Sequence, residues 1–342
     1  MTAPVPAVPL VDLHCHVDGA ARPATLLDLA RRAGIRLPAD TVEGLLPHVR
    51  AGPSSRTLKD FLATFESFYP VLRAPGAMGR LAHELVHDAA ADGVIHLEAR
   101  FCPALQAGAR GPGGRTHSAA DVLRETLAGL AAGAADTGLS VGAIVCCYRS
   151  LPPGQNAELL SLALAHAGRG VVGLDLAGPE HLPGAPLAPL FDRARDAGLP
   201  ITVHAGEAAG PESVAEALDV LHARRIGHGV ALARDPALAA RARDAGVTLE
   251  CCLTSNLRTG AVDSLARHPF DALRRAGLRV TLATDDPSVC DTTLSREFAL
   301  AAAQWGYAPR DLAALARAGA DAAFVDAPRR AALRARIDAA LA

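Results

Sequence analysis

Residues 200–251, PITVHAGEAAGPESVAEALDVLHARRIGHGVALARDPALAARARDAGVTLEC, decide the fold class. In this stretch, β-rich runs alternate with Ala-, Leu- and Arg-rich segments of helical period: runs at 200–204, 225–228 and 247–251, segments at 211–223 and 236–245. Regular alternation of strand and helix is typical of parallel βαβ units. The stretch therefore predicts an α/β protein with a parallel sheet.

The same alternation extends over most of the chain. Five more β-rich runs bring the predicted strands to eight, at 9–14, 94–99, 141–147, 171–175 and 279–284. Helical segments between them include 24–33, 118–135 and 188–197. Eight such units predict a closed (β/α)₈ TIM-type barrel. An open doubly wound sheet is the alternative, but it would usually carry a Gly-rich phosphate turn after its first strand, where this chain has HCHVDG at 14–19.

Two regions depart from the simple repeat, within what we interpret as one barrel domain spanning 1–342. Residues 40–80 hold several prolines around an amphipathic piece, and we expect a lid-like insertion after the first strand, above the carboxyl end of the barrel. Residues 105–117 are Gly- and Arg-rich and predict a mobile loop. From Pro309 onward the pattern predicts extra C-terminal helices outside the barrel.

The composition excludes several classes of partner. The net charge is −2 and aromatic residues make up 4% of the chain, which argues against a nucleic-acid surface. No apolar run is long enough to span a bilayer and no leader pattern is present, so we expect a cytoplasmic protein without membrane contact. The seven cysteines form no C-x-x-C pair, which predicts reduced, buried thiols rather than a cysteine zinc site. The adjacent pairs Cys146-Cys147 and Cys251-Cys252 have no functional explanation in the sequence.

Polar side chains recur where the predicted strands end. These residues are His14 and His16, His204 and Glu207, His228, and Asp285 and Asp286. The carboxyl ends of barrel strands converge on one mouth, where catalytic groups collect. Taken singly, each has an ordinary explanation: Glu207 as a solvated loop residue, or the Asp285-Asp286 pair as a helix cap and turn.

Together these residues have the chemistry of a metal centre. His14 and His16 are two apart on a strand and therefore share a face. Imidazoles with a carboxylate suit Zn²⁺, with Fe²⁺, Co²⁺ or Mn²⁺ as alternatives. Such an ion lowers the pKa of its bound water to about 7. Glu207 and His228 are not needed as ligands and remain available for proton transfer.

A second histidine motif competes with this interpretation. His83-Glu84-Leu85-Val86-His87 matches the H-E-x-x-H pattern of zinc proteases. At helical spacing, however, both histidines lie opposite the apolar stripe of Leu81 and Leu85, so we expect them to face solvent or a neighbour. This helix also precedes the second strand, which is the wrong position for a barrel site.

Seven motifs, in order, resemble those of the adenosine deaminase family. They are Asp12–Ala20 (DLHCHVDGA), Asp60–Phe65 (DFLATF), Asp175–Gly178 (DLAG), Val203–Glu207 (VHAGE), Arg225–Gly229 (RIGHG), Thr254–Leu257 (TSNL) with Thr259–Ala261 (TGA), and Thr284–Pro287 (TDDP). The resemblance implies a (β/α)₈ barrel with one Zn²⁺ per subunit, held by His14, His16, His204 and Asp285. It also implies hydrolysis of the 6-amino group of adenosine or 2′-deoxyadenosine, giving inosine or 2′-deoxyinosine and ammonia.

The resemblance assigns a role to each site residue. Glu207 would protonate N1 of the purine while an activated water attacks C6, with His228 orienting that water and Asp285 sharing in the proton movement. Asp286 would hydrogen-bond N7, and the Gly178 N–H would meet N3. Asp18 matches a ribose-contacting position at which adenine-specific relatives usually carry Glu. Phe61 and Phe65 match a hydrophobic lid over the sugar.

Other functions stay open at this point. Cys251-Cys252-Leu253-Thr254 and Arg149-Ser150 depart from common family patterns beside the pocket, so adenine or a larger aminofutalosine nucleoside is an alternative substrate. Other barrel amidohydrolases often use a carboxylated lysine, but Lys59 is the single lysine of the chain. A non-catalytic metal-binding relative would not need Glu207 and His228. We expect a small-molecule partner and a monomer or small homo-oligomer.

Overall fold

The structure, a computed structural model, describes residues 8–52, 55–110 and 114–340. Eight strands lie in these ranges: β1 (Leu10–His16), β2 (Val94–Phe101), β3 (Ser140–Tyr148), β4 (Val171–Ala177), β5 (Thr202–Ala205), β6 (Arg225–His228), β7 (Thr248–Cys251) and β8 (Arg279–Leu282). Every neighbouring pair within β1–β4 and within β5–β8 is parallel. All eight predicted strands are present, and β1 runs two residues further than expected, to His16.

Two seams join these four-stranded sheets into a closed barrel. At one seam the Leu174 N–H of β4 donates to the Pro200 carbonyl, 2.9 Å away, just before β5. At the other, the N–H of Asp285 donates to His14 O at 2.8 Å and the N–H of His16 donates to Asp285 O at 2.6 Å. The structure therefore confirms the (β/α)₈ barrel and excludes the open sheet.

Helices surround the barrel in the order that the alternation predicts. They are α1 (Pro23–Ala33), α2 (Val42–Val49), α3 (Leu58–Glu66), α4 (Tyr69–Leu72), α5 (Ala77–Ala91), α6 (Ala119–Thr137), α7 (Pro153–His166), α8 (Ala188–Asp196), α9 (Pro211–Asp219), α10 (Pro236–Asp244), α11 (Leu253–Arg258), α12 (Phe270–Arg275), α13 (Pro287–Cys290), α14 (Leu294–Trp305), α15 (Pro309–Ala322) and α16 (Ala327–Ala339). In the described ranges, no helix has both the length and the apolar character needed to cross a bilayer.

Helix bounds differ from the prediction mainly at α9. The helix ends at Asp219, whereas the pattern predicts an end at residue 223. There the Leu221 N–H turns back to Glu216 O and the Ala223 N–H to Ala217 O, which brings the Leu221 side chain into the core. The free energy gained by burying Leu221 outweighs that of extending the helix by one more turn.

The predicted insertion contains three helices, α2 to α4, before α5 begins at Ala77. Thr41 and Thr57 cap the first two, each accepting a hydrogen bond from the backbone N–H three residues later. The apolar side of α3 buries Phe61 and Phe65. In the 105–117 loop, Arg110 and Thr116 form an antiparallel bridge, and residues 111–113 lie outside the described ranges.

The barrel interior contains buried charges as well as aliphatic side chains. All eight residues of β2 are buried, including Glu98 and Arg100. Arg100 contacts Glu250 at 2.8 Å, and Arg225 contacts Glu98 at 2.6 Å and Glu250 at 2.5 Å. Because each buried charge faces an opposite charge, the interior tolerates them. The seven cysteines are all free and buried, as predicted.

Candidate active site

Four side chains from three places in the barrel converge at its mouth. His14 and His16 end β1, His204 belongs to β5 and Asp285 follows β8, and one ligand atom from each lies within 4.8 Å of the others. The Asp285 Oδ1 atom is 3.1 Å from His14 Nε2 and 3.4 Å from His16 Nε2. The His16 and His204 Nε2 atoms are 3.2 Å apart. This cluster is the set that the sequence predicts.

Neighbouring groups hold the far side of His14, His204 and Asp285. His14 Nδ1 lies 2.9 Å from Glu250 Oε2, and His204 Nδ1 lies 3.0 Å from Asp175 Oδ2. The Ser255 hydroxyl donates to Asp285 Oδ2 at 2.6 Å, leaving Oδ1 to face the histidines. The buried His14 Nε2 makes no hydrogen bond of good geometry among the described residues, although Asp285 Oδ1 lies 3.1 Å away. Three imidazole nitrogens and one carboxylate oxygen, with all but His16 oriented from behind, fit a divalent transition-metal ion.

The backbone at this site is strained. His228 and Asp285 have φ values of 67° and 60°, in the left-handed region that non-glycine residues rarely adopt. Each such residue costs roughly 1–3 kcal/mol. Gly227, within β6, leaves room for the cluster, because a Cβ atom there would stand 2.8 Å from His14 Cε1.

Glu207 is buried beside the cluster rather than solvated. Its Oε1 accepts from Thr259 Oγ1 at 2.9 Å and lies 3.6 Å from His228 Nδ1. Burial raises the pKa of Glu207; nearby His228 opposes this shift, whereas the Asp285 and Glu180 charges add to it. Asn256 Nδ2 lies 3.0 Å from His228 Nδ1 and so links the two groups.

Glu180 holds the turn that carries Glu207. Its Oε2 accepts from three successive backbone N–H groups, those of Glu207, Ala208 and Ala209, at 3.1, 2.5 and 2.6 Å. Its Oε1 is buried without a partner in the part of the chain that the structure describes. A carboxylate bonded to three backbone donors fixes this turn, and with it the position of the Glu207 side chain.

Two more carboxyl groups complete the pocket. Asp18 Oδ2 accepts from Gln106 Nε2 at 2.9 Å and from the Tyr69 hydroxyl at 3.3 Å. Asp18 Oδ1 is buried and unpartnered among the described residues, and burial raises the pKa of Asp18 to about 6. Burial, together with the adjacent Asp285 charge, raises the pKa of Asp286 well above its usual range.

One pocket brings nearly all the predicted residues together. Its lining includes His16, Asp18, Phe61, Phe65, Gly178, His204, Glu207, His228, Asp285 and Asp286, and His14 lies beneath it. Leu58, Leu62 and Tyr69 add further apolar contacts from the 40–80 region. A larger cavity of about 890 Å³ lies at the opposite end of the strands, but no residue of the metal cluster lines it.

The residues behind the ligands are not apparent from the sequence alone. Glu250 and Arg100 were not singled out, and Asp175 and Asn256 were quoted within motifs without a role. One sequence signal does point to these supporting residues: charged side chains lie within otherwise apolar strands, as in β2 and β7. Such charges are expensive to bury unless they serve a polar site.

The H-E-x-x-H motif lies outside this site, on α5. Its Glu84 accepts a hydrogen bond from Thr25 at 2.6 Å and pairs with Arg80 at 2.9 Å. His83 and His87 are about two-fifths exposed and contact Asp136 of α6. With Glu84 bonded elsewhere, the motif does not form a protease-type centre.

A buried three-histidine, one-aspartate cluster at the carboxyl end of a closed parallel barrel is the arrangement of metal-dependent amidohydrolases. Three solved structures agree with this class. A Burkholderia ambifaria amidohydrolase with bound Zn has a TM-score of 0.88 at 27% identity, covering 100% of this chain and 94% of that one. An adenine deaminase from Arthrobacter aurescens (TM-score 0.87, 28% identity) and an Arabidopsis N6-mAMP deaminase (0.85, 29%) each cover 98% of this chain and 99% of their own.

Sequence comparison then resolves the family within this class. The family model described as Adenosine deaminase matches residues 9–340. The adenosine deaminase of Serratia proteamaculans (strain 568) is 39% identical over 333 residues, which are 96% of this chain and 98% of the relative. The chain belongs to the adenosine deaminase family.

Proposed function

We propose that the protein hydrolyses adenosine and 2′-deoxyadenosine to inosine and 2′-deoxyinosine, releasing ammonia. The observation that carries this proposal is the position of Glu207, buried with a raised pKa beside the His14, His16, His204 and Asp285 cluster and facing the same pocket. Full-length relatives named adenosine deaminase support the substrate.

The proposed cofactor is one Zn²⁺ ion per chain. The four converging ligand atoms and the Zn-bound Burkholderia ambifaria structure support this choice. When bound, such an ion lowers the pKa of a water to about 7 and so supplies a nucleophile at neutral pH. Glu250 and Asp175 would keep the two buried imidazoles in the tautomer that presents Nε2 to the mouth.

The proton transfers fall to Glu207 and His228. A protonated Glu207 would donate to N1 of the purine, which draws electron density from C6 and favours attack by water there. His228, adjacent to the cluster and linked to Asn256, would orient the attacking water and accept its proton, with Asp285 sharing that proton. Return of a proton to the 6-amino group then lets it leave as ammonia.

The remaining pocket residues would fix the purine and the sugar. We assign Asp286 to N7 and the Gly178 N–H to N3. The free Asp18 Oδ1 would accept from a ribose hydroxyl, with Oδ2 already held by Gln106 and Tyr69. Phe61 and Phe65, buried on α3 over the pocket, would form the lid that covers the sugar.

The charge of the pocket favours a nucleoside over a nucleotide. Among the described residues its lining holds five carboxyl groups and no lysine or arginine: Asp18, Glu180, Glu207, Asp285 and Asp286. Phosphate recognition generally needs cationic donors. A substrate with a 5′-phosphate, such as the one named for the Arabidopsis neighbour, would meet repulsion here.

The deciding experiment compares adenosine, 2′-deoxyadenosine, adenine and AMP with purified, zinc-loaded protein. Ammonia release and the ultraviolet change of the purine are followed together. We expect turnover of both nucleosides and little of AMP. Turnover of adenine alone would retain the Glu207 chemistry but contradict the role of Asp18, and no release from any of the four would contradict the proposed function.

A further inference from the structure

The outer surface of the barrel carries a second cluster of metal-binding side chains, which the reaction does not use. His83 and His87 stand one turn apart on α5, and Asp136 faces them from the last turn of α6. We propose that these three residues form a peripheral site for a divalent transition-metal ion, with Zn²⁺ as the physiological candidate.

The separations within this cluster fit shared coordination. Asp136 Oδ2 lies 2.8 Å from His83 Nε2 and 3.2 Å from His87 Nε2. Ligands held about 2.0–2.2 Å from one ion at tetrahedral angles stand roughly 3.3–3.6 Å apart. The three side chains, which are hydrogen-bonded here, therefore need to separate by less than about 1 Å to share an ion. The two imidazole rings are tilted, with centroids 4.6 Å apart, so both Nε2 atoms reach the same carboxylate oxygen.

Close helix packing fixes these positions. A Cβ atom on Gly129 of α6 would stand 2.0 Å from the Gly79 carbonyl of α5, and one on Gly133 would stand 2.7 Å from Val86 Cβ. The two backbones therefore touch, and neither helix can slide without a clash. Ligands on such rigid elements lose little conformational freedom on binding an ion.

The chemistry of the cluster suits the softer divalent cations. Two imidazoles select Zn²⁺, Ni²⁺ or Cu²⁺ over Mg²⁺ or Ca²⁺. The exposed Asp136 carboxylate supplies an oxygen ligand. Ion binding would replace its hydrogen bonds from His83 and His87, because each Nε2 must give up its proton to ligate. Both histidine side chains are about two-fifths exposed, which leaves room for water in the remaining coordination positions.

The location separates this cluster from the reaction. Helix α6 ends just before β3 begins, and α5 just before β2, so the ends of both helices lie at the amino ends of the strands. The substrate pocket opens at the other end of the barrel. An ion here would tie α5 to α6 and stabilise the folded chain without entering catalysis.

Zinc counting by equilibrium dialysis tests the site. Wild-type holoenzyme, the double variant His83→Ala/His87→Ala and the control His166→Ala are dialysed against a series of Zn²⁺ concentrations, and bound zinc per chain is measured by mass spectrometry. We expect wild type and control to bind one more ion per chain than the double variant. Because the readout is this difference, it does not depend on how many ions the barrel mouth holds.

Activity and thermal unfolding complete the test. The double variant should keep wild-type kcat, and added Zn²⁺ should raise the Tm of wild type more than that of the variant. Asp136→Asn should weaken the additional binding while leaving both histidines in place. Equal zinc content in wild type and double variant at every concentration would overturn the proposal, as would an equal rise in Tm.

Discussion

The Oδ1 atom of Asp286 lies 1.7 Å from the point where a Cβ atom would stand on Gly19. Real Cβ atoms do not come this close to another heavy atom. The Asp286 carboxyl group can therefore occupy its observed position only because residue 19 has no side chain. The two residues lie far apart in the sequence. The glycine that follows β1 thus sets the position of the group that we assign to N7 of the purine.

Gly19→Ala should therefore displace Asp286 and impair catalysis. A shift of about 1 Å in a positioning group can cost on the order of 100-fold in rate, and we expect a loss of that size in kcat/KM for adenosine. Gly154→Ala is the matched control, because nothing lies within 4 Å of the added Cβ on exposed α7. Wild-type kinetics for Gly19→Ala would disprove the assigned role of Asp286.

Glu207→Gln should retain the fold and the metal but lose turnover. The amide keeps the shape and the Thr259 hydrogen bond but cannot donate an acidic proton to N1. A general acid typically contributes about 10²- to 10⁴-fold, so kcat should fall within that range. Steady-state kinetics and zinc content are measured beside Glu158→Gln, an exposed change on α7. Normal kcat in Glu207→Gln would contradict the proposed mechanism.

Glu180→Gln tests whether the charge of Glu180 raises the pKa of Glu207 in addition to holding the turn that carries Glu207. The negative charge of Glu180 is one cause of the raised pKa of Glu207. Removing that charge should lower this pKa, so the pH limb on which Glu207 loses its proton should move to lower pH. The pH profile of kcat is the measurement, with KM for adenosine expected to change less. If this limb of the pH profile does not move, Glu180 holds the turn but does not raise the pKa of Glu207.

Asp175→Asn should weaken metal binding rather than the reaction itself. Asp175 Oδ2 accepts from His204 Nδ1 and also faces Arg100. Loss of a carboxylate behind a ligating histidine typically costs about 10- to 100-fold in metal affinity. Competition with a chelator measures this, beside Asp196→Asn on the surface of α8. Unchanged affinity would rule out the orienting role of Asp175.

His268 should make the protein less stable in mild acid. Burial lowers its pKa from 6.5 to about 4, whereas the unfolded chain takes up the proton near 6.5. Between these values the unfolded state binds more protons, so the free energy of unfolding falls as pH falls, by roughly 3 kcal/mol over the window. His268→Gln removes this titration, and the stability advantage of wild type over the variant should shrink from pH 6.5 to pH 4. Parallel stability curves would refute the prediction.

The sequence predicted the barrel because its strands are short, apolar and regularly spaced. The polar residues at strand ends were expected to meet at one mouth, and the structure brings them together because the sheet closes. The division of these residues into metal ligands and proton-transfer groups is what the family resemblance implies. The helix starts at Pro211 and Pro236 were placed correctly as well, because proline fits the first turn of a helix.

Residues behind the site could not be assigned in the same way. Glu250 contacts His14, Arg100 and Arg225, and each partner comes from a different strand. Period-two patterning gives the face on which a side chain lies, but not the neighbours it meets across a closed barrel. The end of α9 was misplaced for a related reason, because tertiary burial of Leu221 outweighs helical propensity.

The seam between β1 and the segment after β8 has a consequence for the order of assembly. His14 and His16 are translated well before Asp285, which bonds to both of their backbones. Until the segment after β8 pairs with β1, the three histidines lie at an open barrel and lack the Asp285 carboxylate. The set of four ligands can therefore form only after the segment following β8 has joined β1, and a chain interrupted before Asp285 lacks the carboxylate of that set.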